Sequence, residues 1–134
     1  MMPVADHPDS VEALERLGAR LRRRKSGRVH TVDFRPVAPQ VGDPELVALE
    51  GLHSLVELYL SGTGISDDCL PSLAQHRQLV TLDLQETRVG DQVFELVDQL
   101  PELKVLVLSG TAVTVDEVRQ QRSRLIQIRL VHLG

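Results

Sequence analysis

Aromatic side chains are nearly missing from this chain. Of 134 residues none is Trp, one is Tyr and two are Phe, so a hydrophobic content of 42% is almost wholly aliphatic. A core built from Leu, Val and Ile suits an architecture in which one aliphatic column recurs in every unit. Cysteine is nearly missing too. The lone Cys69 rules out an intramolecular disulfide and a cysteine zinc cage, and it points to a reducing, intracellular setting. No run approaches the roughly 18 apolar residues of a membrane span, and Met1 to Asp9 shows no basic-then-apolar leader pattern. The expectation is a soluble cytoplasmic protein with no membrane partner. At this length the chain is one domain, able to bury a core without staples.

Charge is uneven rather than scarce. Residues 1–28 carry seven Arg or Lys and four Asp or Glu, whereas residues 29–134 carry eight and fifteen. The body is therefore acidic, which argues against nucleic acid as its ligand. Arg22-Arg-Arg-Lys25 stands out within the first part. Such a run can bind phosphate or an acidic partner, or mark Ser26 for phosphorylation. It can equally be a solvated basic face where cations meet the negative end of a helix dipole, and with no aromatic beside it that is the reading preferred.

What the chain has in abundance is repetition. Leu55-Val-Glu-Leu58-Tyr-Leu60 returns as Leu79-Val-Thr-Leu82-Asp-Leu84 and as Leu103-Lys-Val-Leu106-Val-Leu108, each 24 residues after the last. Thr63, Thr87 and Thr111 keep the same step, followed by Ile65, Val89 and Val113. A fixed period in the twenties marks stacked supersecondary units. Each Leu-x-x-Leu-x-Leu reads as a short strand with its second and third leucines inward. The Thr hydroxyl is expected to satisfy the turn, and Asp67 and Asp91 to cap the following short helices. Leu70 with Leu73, and Phe94 with Val97, give those helices an apolar side. Val29-His-Thr-Val32-Asp-Phe34 is a degenerate first copy, 26 residues ahead, with Pro36, Pro39 and Pro44 around a two-residue insertion that makes no ladder bonds. Leu125-Ile-Gln-Ile128-Arg-Leu130 is a fifth strand with an open edge.

Ahead of the repeats, Asp9-Ser-Val-Glu12 predicts a helix start capped by Asp9 or Ser10, with Val11, Leu14, Leu17 and Leu21 on one face and Ser26-Gly27 as the stop. The division expected is a capping helix over residues 1–28, its first residues disordered, and a repeat domain over 29–134 with units starting near 29, 55, 79, 103 and 125.

These repeats resemble the leucine-rich repeat family, in its bacterial variety with Thr at the turn: L-x-x-L-x-L-x-x-T-x-[IV]-x-D. The resemblance implies an α/β right-handed solenoid, with about five parallel strands on the concave face and helices on the convex one. It also implies recognition of protein partners through concave side chains, and it brings no catalytic residues.

The residues between the inward leucines face outward, and stacking in register would set Asp33, Tyr59, Asp83, Val107 and Arg129 in one row. Asp33, Glu57, Tyr59, Asp83, Gln85 and Arg129 are therefore the candidate partner-binding residues, on an acidic face. Asp33 and Asp83 are two strands, about 10 Å, apart, too far for most carboxylate pairs. No nucleophile and base are paired, the five His lack zinc spacing, and no glycine-rich phosphate loop exists. Neither catalysis, cofactor nor metal is expected. The function this predicts is non-enzymatic protein recognition, with a scaffold-like rigid display of side chains. Homo-oligomerisation through the last strand, or an immunity-type block of a basic active site, are the alternatives.

Overall fold

The computed structural model describes residues 5–133, so the first residues expected to be disordered lie outside it. Six strands form one sheet in chain order: β1 (Arg20–Arg23), β2 (Val29–Asp33), β3 (Glu57–Tyr59), β4 (Thr81–Asp83), β5 (Val105–Val107) and β6 (Arg129–Val131). β2 to β6 pair parallel, and β1 joins β2 antiparallel. Val32, Leu58, Leu82, Leu106 and Leu130 sit level across the parallel strands, and the first four have no exposed surface at all. Parallel neighbours need a crossover between them. Here the crossovers hold α2 (Leu70–Leu73), α3 (Val93–Val97) and, after β5, α4 (Val115–Arg124). The architecture is mixed α/β, with five parallel strands as the repeats predict.

Every 24-residue column of the sequence becomes a buried column of the core. Leu55, Leu79 and Leu103 are at most 3% exposed, and Ile65, Val89 and Val113 at most 5%. Thr63, Thr87 and Thr111 each donate a hydroxyl hydrogen bond to the carbonyl three residues back, at 2.8, 2.7 and 2.6 Å, as expected of the turn. The two-residue insertion lies between Phe34 and Val41, in a 3-10 helix over Arg35–Gln40 that carries Pro36 and Pro39. Beyond it the 24-residue step is restored, and a single parallel bridge does form there, between Gly42 and Gly64.

Three expectations need correction. The N-terminal helix α1 (Pro8–Leu17) is capped by His7, not by Asp9 or Ser10, and it stops at Gly18. Gly18 is left-handed at φ 93°, and a Cβ there would meet Val37 at 2.9 Å, so the chain turns out of the helix where only glycine suits it. Leu21 consequently packs from a strand, and the Arg22–Lys25 run lies in β1 and its hairpin rather than at a helix end. Next, Asp67 and Asp91 do not cap helices. Ser66 caps the 3-10 turn Asp67–Cys69 ahead of α2, accepting from Asp68 N. α3 has no side-chain cap, and Thr114 caps α4, accepting from Glu117 N. The aspartates instead reach the following coil: Asp43 accepts from Ser66 N and Oγ, Asp67 from Gly90 N, and Asp91 from Thr114 N and Oγ1. Finally, the last repeat begins in register at Gln127, not Leu125, because Leu130 rather than Ile128 is level with Leu106. The 24-residue step continues unbroken from Leu106 to Leu130, and the spacing of Leu125, Ile128 and Leu130 imitates the motif two residues early.

Candidate interaction face

The sheet face opposite the core carries two rows of side chains. Register sets Arg22, Thr31, Glu57, Thr81, Val105 and Arg129 along one, and Arg20, Asp33, Tyr59, Asp83, Val107 and Val131 along the other. Asp33, Tyr59 and Asp83 are thus brought together as the spacing predicts. Arg129 is not. It sits in the Glu57 row three strands from Tyr59, about 14 Å away at strand spacing, because the 24-residue step runs on from Val105 to Arg129 and pairs Val131, not Arg129, with Val107. Val131 takes the place expected for it.

The middle of the face is a preorganised cluster. Arg35, just past β2, forks onto Asp33 with Nε and Nη2 both at 2.9 Å, and its guanidinium lies 4.5 Å from the Tyr59 ring centre. The Tyr59 hydroxyl donates to Glu57 Oε2 at 2.7 Å. One stacked guanidinium therefore links two hydrogen-bonded carboxylates across an aromatic ring. Burial would raise the Asp33 pKa, but hydrogen bonds from the Arg35 side chain and backbone prevail and hold it below the ordinary carboxylate value. The bond to Glu57 pushes the Tyr59 hydroxyl upward, aided by burial. Asp33 therefore serves as a fixed charge, not a proton donor.

Asp83 has a different duty. It is only 9% exposed, and its Oδ1 accepts Gln85 N at 3.0 Å, closing the turn after β4. Gln85 contributes backbone as well, accepting Gly62 N at 2.9 Å. These two residues hold the platform in place beside Tyr59.

Nor is the face uniformly acidic. β1 adds Arg20 opposite Asp33 and Arg22 opposite Thr31, both exposed, so the face runs from cations through carboxylates to the valines of β5. Reading residues 20–23 as helix concealed this. A period-2 Arg-Leu-Arg was the available signal, and Arg35 was signalled by standing two residues after Asp33.

Elsewhere the chemistry is quiet. Burial pushes the Cys69 thiol up to about 12, with the Asp43 carboxylate adding to the effect, so it is no nucleophile at neutral pH. Among the described residues no group of three or more His, Cys, Asp or Glu is placed to hold a metal. Among them, too, no helix is long and apolar enough to cross a membrane. At the far edge, the Leu130 carbonyl of β6 accepts Arg122 Nη2 at 3.1 Å.

No known protein family matches the chain, and no curated protein does. Among solved structures, a leucine-rich repeat protein of Leptospira interrogans is similar at 20% identity and a TM-score of 0.45, over 63% of this chain. The likeness spans 27% of that protein's chain.

Proposed function

We propose that this chain is a non-enzymatic protein-recognition module that binds through the open sheet face around Tyr59. The observation that carries the reading is the Arg35–Tyr59 stack, anchored by Asp33 and Glu57. Aromatic and arginine side chains supply most of the energy at protein interfaces when they are held in place before binding. Here short strands and side-chain hydrogen bonds hold them, so little ordering entropy is lost on association. The zoned face, with cations at β1, carboxylates at β2 to β4 and valines at β5, gives a partner one orientation.

The test is affinity capture from the source organism with wild type, Tyr59→Phe and Arg35→Ala/Tyr59→Ala chains, followed by mass spectrometry. A bound protein should survive Tyr59→Phe and fall at least roughly tenfold with the double variant, as the loss of a hot-spot pair implies. Asp83 is left intact, since its turn bond is structural. If the double variant, with an unchanged melting temperature, retains the same proteins, the face is not the recognition surface.

A further inference from the structure

The strongest charge feature of the molecule lies outside the Tyr59 cluster. Residues 20–28 hold six cations, Arg20, Arg22, Arg23, Arg24, Lys25 and Arg28, and no anion. The net charge of −4 therefore divides into +6 here and −10 over the other residues. Residues 20 and 22–25 are all exposed. Arg23 reaches Glu15 at 3.3 Å, but among the described residues no carboxylate stands within ion-pair distance of the other five. The sequence-level account of this run as cations stabilising a helix end does not apply, since α1 has already closed at Gly18.

Arg20, Arg22 and Arg23 lie in β1, which is one edge of the sheet, and the other three cations lie in the hairpin that follows it. Edge strands often carry charge simply to discourage pairing. The other edge of this sheet provides a comparison. There β6 has one arginine in its three residues, and its outward carbonyl on Leu130 is capped by Arg122. β1 has arginine at three of four positions, and among the described residues no side chain hydrogen-bonds the backbone of Arg20, Leu21 or Arg22. One edge is closed with little charge. The other is open with far more charge than guarding needs.

We propose that β1 is a docking edge for an extended acidic peptide segment, which adds to the sheet as a further strand. Alternation fixes the chemistry of that segment. Residues opposite Arg20 and Arg22 lie on the exposed face and must be Asp or Glu, while the residue between them faces the core side with Leu21 and must be apolar. Arginine forks suit carboxylates, and the backbone ladder supplies affinity independent of sequence. Nucleic acid fits less well. Single-stranded nucleic acid binds by stacking its bases on free aromatic rings, and the one tyrosine is already covered by Arg35. This inference shares the β1 arginines with the sheet-face reading but does not use the Tyr59 cluster.

Fluorescence anisotropy with a labelled Glu-Val-Glu-Val-Glu peptide tests it, using the full chain. Arg20→Ser/Arg22→Ser should weaken binding by roughly tenfold for two lost charge-assisted pairs, and Arg20→Lys/Arg22→Lys should restore part of it. Two further peptides, N-methylated at the Glu or at the Val amides, decide the mode on the wild-type chain, whether or not the serine variant folds. Loss with one set and retention with the other is the signature of strand pairing. Equal effects of the two sets, absence of binding, or tighter binding of an oligothymidylate would overturn the proposal. So would a matching loss with Tyr59→Ala, which would move the peptide onto the sheet face.

Discussion

His76 is the residue at which the core departs from its own rule. Leu52, His76 and Leu100 occupy one column at 24-residue steps, and the histidine is 6% exposed between two leucines that are each 2% exposed. Burial pushes its pKa down to about 4, and nearby His53 opposes the same charge. An imidazole that titrates near 6.5 unfolded but near 4 folded leaves the unfolded chain holding more protons between those values. Stability is therefore full above about pH 6.5 and falls as the pH drops toward 4, by up to about 3 kcal/mol. Thermal melts across this window should show that slope. His76→Leu should flatten it and, by continuing the leucine column, add about 1 kcal/mol at neutral pH, a few degrees in Tm. An unchanged slope in the leucine variant would place the titration elsewhere. The sequence carries the same column, but a search of the histidines for metal spacing compares His with His and passes over the two leucines. The left-handed Glu86, φ 56°, is legible in the same way, since Gly62 and Gly110 hold its place in the neighbouring coils at φ 80° and 72°.

Between elements, the coils are tied by aspartate. Asp43, Asp67 and Asp91 each satisfy a backbone N–H 23 residues ahead, in the turn that opens the next helix. The period in the sequence locates these residues but not their partners. Local propensity reads Asp before a helix as its cap, and only the stacking of coils reveals a nearer donor outside its own turn. The same limit applies to β1, where four residues after a helical stretch became strand only because β2 lay alongside. The inward leucines and turn threonines were legible because their partners are local or identical in every repeat. Asp91 is the place to measure the tie, since it holds both Thr114 N at 2.8 Å and Thr114 Oγ1 at 3.0 Å ahead of α4. Asp91→Ala should cost about 1 to 2 kcal/mol, the usual loss for hydrogen bonds to a charged group at a partly solvated site. Hydrogen exchange should quicken first in α4, with β2 to β4 protected as before. Asp68→Ala, whose exposed side chain makes no such bond, is the matched control. Equal destabilisation by the two substitutions would show that the ladder is incidental.

At the scale of the whole molecule, the two sheet edges decide whether the chain associates with itself. Which strand ends a stack, and what covers it, depends on the complete assembly of coils, so the sequence pattern leaves the terminal strand open. In the structure β6 is short, and Arg122 already occupies its outward carbonyl. Head-to-tail stacking would place Arg129 against the arginines of β1, like charges on facing edges. We therefore expect light scattering to give the monomer mass of 14.9 kDa across a wide concentration range. The apolar flank of β6 remains, with Ile126 82% and Leu133 79% exposed. Arg122→Ala/Arg129→Ala frees the carbonyl and removes the charge while leaving that flank in place. Its mass should rise with concentration, and Ile126→Ser added to it should reverse the rise. A wild-type chain already at twice the monomer mass would instead make β6 an assembly edge, with Arg122 part of the contact rather than its guard.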